Sequence, residues 1–220
     1  LTPAALAMTL LGTTTEQAFE QDYNPEIPFS SQRRYKTITL KNGLQVILVS
    51  DKRAALCQSA LSVLAGGQFS ENESVPGLAH LLEHMVLSSD SQSTFRRRRD
   101  FEEWLSDREG ASNAFTANEK VCFHFAAPKQ YFAEGLDRFA SLFREIEVEA
   151  VCRDQEIMRR EIRRVDLELD FDSVFSQEEY LTKAFVNLEH PYSRFAKGSL
   201  ATLETIPKER GIDVGESLFD

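Results

Sequence analysis

Gly77-Leu78-Ala79-His80-Leu81-Leu82-Glu83-His84-Met85 is the stretch from which the rest of this sequence is read. A helix advances about 3.6 residues per turn, so His80 and His84 stand on one face, one turn apart. Two imidazoles so placed can reach a single zinc ion at roughly 2.0–2.1 Å. Glu83 lies close to that face, where its carboxylate can take a proton from a zinc-bound water. The plain alternative is a solvated amphipathic helix that holds no metal. Two features weigh against it. The chain has only 4 histidines, and two of them sit at ligand spacing. The motif is also embedded among Leu78, Leu81, Leu82, Met85 and Val86, which makes the helix partly buried, and buried imidazoles need partners.

The remaining composition is that of an ordinary globular chain. Of 220 residues, 42% are hydrophobic and 27% charged, enough for one substantial core or two small ones. A formal net charge of -10 argues against nucleic acid as a partner. The basic run Arg96-Arg97-Arg98-Arg99 leads into Phe101, Trp104 and Leu105, and reads as an exposed helix start or loop. Cys57, Cys122 and Cys152 form no C-x-x-C pair, so neither a disulfide framework nor a cysteine zinc site is expected. Leu1 to Leu11 is apolar and rich in alanine, like the tail of a signal or transit peptide, although a disordered leader fits equally well. The compartment therefore stays open between cytoplasm, organelle and exterior. No stretch reaches the roughly 18–20 apolar residues of a membrane span.

Residues 1–34 read as a leader and extended arm, and residues 35–220 as one domain. Within that domain Tyr35–Leu40 and Leu44–Val49 flank Lys41-Asn42-Gly43, a hairpin signal. A third strand is expected over Ser59–Leu64, a loop over Gln68–Pro76, and a helix over Phe101–Arg108. Asn113–Thr116 and Val121–Phe125 read as strands. A helix over Lys129–Glu145 carries Phe132, Leu136, Phe139, Ala140 and Phe143 on one face. A long charged helical region is expected over Val151–Val186, and His190-Pro191 ends it. Strands followed by helices packed against them make an α+β domain, with an antiparallel-rich sheet against helices.

The H-x-x-E-H order is that of the inverzincins. It stands among Asn42-Gly43-Leu44-Gln45-Val46, Gly66-Gly67, Ser112-Asn113-Ala114-Phe115-Thr116 and Leu136-Asp137-Arg138-Phe139-Ala140. Together these resemble the insulysin/pitrilysin family of zinc metallopeptidases over about residues 36–219. His190-Pro191-Tyr192-Ser193-Arg194-Phe195 with Gly198 resembles its insulysin-like branch.

The resemblance implies a half-clamshell domain holding one zinc per chain and hydrolysing peptide bonds, with His80 and His84 as ligands and Glu83 as proton carrier. Spacing within a helix cannot select the third ligand among Glu156, Glu161, Asp166 and Glu168, because it comes from another element. In the family a segment E-V-x-A-V-D-x-E supplies it from its last glutamate. The best match, Glu161-Ile162-Arg163-Arg164-Val165-Asp166-Leu167-Glu168, makes Glu168 the ligand and Glu161 a supporting carboxylate. Glu161 itself, and Asp154 at the end of a competing match, remain alternatives. Asn113, Ala114 and Phe115 resemble the edge strand on which a peptide substrate adds as a further strand. The family's chamber also needs a second half, from the same enzyme or from a partner subunit. The rival reading is a non-catalytic structural or assembly subunit of the same superfamily; such relatives typically lose motif residues, whereas His80, Glu83 and His84 are intact here.

Overall fold

A computed structural model of the chain describes residues 19–21, 32–73, 75–87, 94–144, 155–168, 174–195 and 197–203. The apolar N-terminal stretch, Cys152 and Asp154 lie outside the described residues. The elements run β1 (Phe19–Gln21), β2 (Arg34–Thr39), β3 (Gln45–Ser50), β4 (Leu56–Val63), α1 (Leu78–Leu87), α2 (Thr94–Ser106), β5 (Ala111–Thr116), β6 (Val121–Pro128), α3 (Phe132–Arg144), α4 (Gln155–Leu167), α5 (Val174–Phe185) and α6 (Leu200–Leu203). The strands form two antiparallel three-stranded sheets, ordered β1-β2-β3 and β4-β6-β5. Antiparallel sheets with helices packed beside them give the α+β class expected from the sequence.

The hairpin turns where Asn-Gly places it. Gly43 takes φ +84, a left-handed conformation that costs a side-chain-bearing residue energy. The Leu40 N–H donates to the Leu44 carbonyl at 2.9 Å and the Gly43 N–H to the Leu40 carbonyl at 2.9 Å. This closes a three-residue loop and sets Thr39 opposite Gln45. Strand β1 falls inside the segment read as an extended arm and pairs with β2, Phe19 opposite Thr39.

Helix α1 sits between two apolar clusters, and its sequence explains how. Leu78, Leu81 and Met85 recur at helical spacing and pack with Met158, Ile162 and Val165 of α4 and Leu203 of α6. Ala79 and the partly buried Val86 join a second cluster made by β5, β6, α2 and α3, with Phe101, Trp104, Phe123, Phe125 and Phe139 at its centre. Full burial of each such large side chain is worth about 1.5–3 kcal/mol, so α1 is fixed from two sides. The face left over carries His80 and His84.

Some boundaries differ from the sequence reading. Strands β4 and β6 are longer than expected, running Leu56–Val63 and Val121–Pro128 as partners. Helix α2 starts at Thr94 rather than Phe101, because arginine continues a helix readily and the basic run extends it. The single charged helical region expected over Val151–Val186 corresponds to two helices, α4 and α5.

Candidate metal centre

The site begins at the turn that starts α1. Gly77 has φ +94, and a Cβ there would lie 2.2 Å from the Gly198 Cα, so only glycine fits this crossing of two backbones. The first amides of a helix lack partners within it. Here the Glu71 carboxylate accepts from the Gly77 N–H at 3.0 Å and from the Ala79 N–H at 2.7 Å. Burial raises the Glu71 pKa above the usual carboxylate value in spite of those two donors.

One turn further on, His80 and His84 point their Nε2 atoms at the two oxygens of one carboxylate. His80 Nε2 lies 3.4 Å from Glu168 Oε2, and His84 Nε2 lies 3.3 Å from Glu168 Oε1. Potential ligand atoms of the three residues all fall within 4.8 Å of one another. A tetrahedral zinc with ligands at about 2.0–2.1 Å separates them by about 3.3 Å, so these contacts already have the edge length of such a site. The other ring nitrogens are engaged too. The Lys197 carbonyl, which can only accept, lies 3.0 Å from His80 Nδ1; Nδ1 is therefore the donor of that contact, and Nε2 is the nitrogen turned to Glu168. His84 Nδ1 faces Glu161 Oε2 at 3.8 Å, a charge contact rather than a short hydrogen bond.

Glu161 is 1% exposed. Its carboxylate accepts from Arg160 Nε at 3.2 Å and from the Arg164 guanidinium at 3.1 and 3.2 Å, which makes a buried charge tolerable. Burial works against protonation of His84, yet the facing carboxylates of Glu161, Glu168 and Glu83 outweigh it and raise the His84 pKa above the ordinary imidazole value. The donor set and this negative field both suit a divalent cation of the zinc type.

Glu83 makes its hydrogen bond to the sheet. It is buried, and its Oε2 accepts from Thr116 Oγ1 at 2.6 Å. The proton-carrier candidate is thereby tied to β5, the strand proposed for substrate. Within β5, Ala114 is buried and Phe115 is exposed, and the Ala114 N–H donates to Asn113 Oδ1 at 2.9 Å. β5 is an edge of its sheet, with no strand on its outer side among the described residues. The two remaining histidines stand apart from the cluster: His124 lies on β6, and His190 Nδ1 accepts from the Tyr192 N–H. Of the carboxylates weighed as third ligand, Asp166 serves α6 instead, accepting from the Leu200 N–H at 2.8 Å. Three contributors escaped sequence reasoning: the Thr116 hydroxyl, the Lys197 carbonyl and the Glu71 carboxylate. Only Thr116 stood in a quoted motif; no spacing signals the other two.

Paired imidazoles on a buried helix and a carboxylate facing both of them make a group that could hold a metal ion. Residues 45–193 match the family model for Insulinase (Peptidase family M16), and the chain belongs to that family. It is 34% identical to insulin-degrading enzyme of Mus musculus over 190 residues, covering 86% of this chain and 18% of that enzyme. It is 30% identical to A-factor-processing enzyme of Saccharomyces cerevisiae over 209 residues, covering 94% of this chain and 19% of that protein. The crystal structure of pitrilysin superposes with a TM-score of 0.76 at 28% identity, covering 91% of this chain and 20% of that one. The chain thus spans about a fifth of the length of the relatives it matches.

Proposed function

We propose that this chain is the zinc-bearing domain of a metalloendopeptidase acting on peptides or small unfolded polypeptides, with His80, His84 and Glu168 holding one zinc ion. The observation that carries the reading is the pair of 3.4 and 3.3 Å contacts between the two Nε2 atoms and the Glu168 oxygens. Glu161 supports His84 from behind. When bound, zinc lowers the pKa of a coordinated water and polarises the scissile carbonyl. Glu83 takes the proton of the attacking water and delivers it to the leaving amine nitrogen. The Thr116 hydroxyl holds the Glu83 carboxylate in one rotamer through both transfers. An extended peptide adds to the outer edge of β5 at Asn113, Ala114 and Phe115, where backbone hydrogen bonds hold it with little demand on its sequence. The second half of the chamber comes from further sequence of the same enzyme or from a partner subunit. No described helix is long and apolar enough to cross a membrane.

Zinc stoichiometry with a peptide-cleavage assay tests this. Glu168→Gln is expected to lose the metal. Glu83→Gln is expected to keep it while hydrolysis falls by about 10²–10⁴. A wild-type chain that binds zinc but cleaves nothing, even when joined to its second half, would support the non-catalytic subunit instead.

A further inference from the structure

The motif His190-Pro191-Tyr192-Ser193-Arg194-Phe195 with Gly198 has no part in the chemistry above, yet it wraps the start of the metal helix. Its Pro191–Ser193 stretch is a single 3-10 turn. Beyond that turn, the Arg194 guanidinium donates to the Glu71 carbonyl at 3.0 Å and to Glu73 Oε1 at 2.7 Å. The Arg194 carbonyl accepts from the fully buried Gln68 Nε2 at 2.6 Å and from Lys183 Nζ. Four further residues on, Gly198 lies against Gly77, and the Lys197 carbonyl lies 3.0 Å from His80 Nδ1.

We propose that Arg194 and Gly198 are positioning residues for the metal centre, setting the Lys197 carbonyl so that His80 presents Nε2 to the cation. The contacts form two arms that meet on α1. One runs from Arg194 through the Glu71 backbone to the Glu71 carboxylate, which fixes the first turn of the helix through the Gly77 and Ala79 amides. The other runs through Gly198 and Lys197 to the imidazole itself. An imidazole free to rotate about χ2 exchanges its two nitrogens. A carbonyl fixed behind Nδ1 removes that freedom before the metal arrives, and partners of this kind raise ligand basicity. Lys197 contributes through its backbone, so its side chain is irrelevant and no sequence motif marks it. The Gln68 amide meets the Arg194 backbone and survives any substitution, whereas the guanidinium engages the Glu71 carbonyl and Glu73 Oε1 at once, a forked contact that a lysine at position 194 cannot reproduce.

This rests on the zinc reading, and the experiment separates the two. Zinc affinity of the full chain is measured by competition with a chromophoric chelator for wild type, His80→Gln, Arg194→Gln, Arg194→Lys and Gly198→Ala. Glu134→Gln, on an exposed pair with Arg138, serves as control. Circular dichroism reports the fold, and cobalt substitution reports ligand geometry through its visible bands. Arg194→Gln, Arg194→Lys and Gly198→Ala are expected to lose about 10–100-fold in zinc affinity and to alter the cobalt spectrum, with Glu134→Gln unchanged. Folded variants with wild-type affinity and spectrum would overturn the proposal while leaving the zinc reading intact. A wild type no tighter than His80→Gln would defeat the zinc reading itself, and the proposal with it. Should the variants not fold, nitrogen NMR of wild-type His80 decides. A protonated Nδ1 with zinc on Nε2 supports the proposal; zinc on Nδ1 refutes it.

Discussion

Glu161→Gln separates a ligand from its support. Glutamine keeps the volume of this nearly inaccessible side chain and removes only its charge, so the packing of Ile162 and Val165 beside it is undisturbed. The Arg160 and Arg164 side chains are 38% and 50% exposed and can turn to solvent once the carboxylate is gone. What His84 loses is the negative charge 3.8 Å behind Nδ1. Removing such a partner costs about 10–100-fold in metal affinity, equivalent to about 1.4–2.7 kcal/mol. Chelator competition reads that loss directly, with unchanged circular dichroism as the check on folding. The metal-free chain gives a second readout. In wild type the His84 pKa lies above its unfolded value of 6.5, so its charge contributes stability that is fully present below pH 6.5 and lost as pH rises through the folded value. In Glu161→Gln the burial effect gains ground, and the His84 pKa falls relative to wild type in an NMR titration. Wild-type zinc affinity in this variant would refute the supporting role. Loss of zinc as complete as in Glu168→Gln would make Glu161 the ligand and the present assignment wrong.

Three further outcomes follow from other parts of the molecule. Scanning proline through a substrate peptide removes one backbone donor at a time; affinity should drop at alternate positions opposite Asn113–Phe115, and indifference at every position would exclude strand addition. Gly77→Ala combines a φ of +94 with a Cβ 2.2 Å from the Gly198 Cα, and is expected to destabilise the fold by about 2 kcal/mol or more in denaturant unfolding. The side chain and amide of Arg53, with Arg33 beside them, hold the Asp51 pKa well below its unfolded value of 3.8. The stability this contributes is present above pH 3.8 and lost as pH falls towards the folded value, so Asp51→Asn should flatten the acid limb of the unfolding profile in that range.

Local pattern told most of what it could about the elements. The Asn-Gly turn, the apolar spacing of α1 and the aromatic face of α3 are short-range features, fixed by backbone geometry and by which side must be buried. The bounds of α2, α4 and α5 were less legible, because charged residues propagate a helix well and leave its ends weakly marked.

For the site, the sequence by itself determined that two imidazoles share one face of a buried helix with a carboxylate at its margin, since spacing along a helix dictates that. It named a matching segment for the third ligand but left Glu161 and Asp154 as rivals. Only the packing of α4 on α1 through Met158, Ile162 and Val165 turns Glu168 towards both Nε2 atoms and leaves Glu161 behind His84. The Thr116 bond to Glu83 and the Lys197 carbonyl behind His80 likewise join residues distant in the chain. Periodicity reports which way a side chain faces on its own element. What it meets there depends on how separate elements dock, and burial of the apolar clusters decides that.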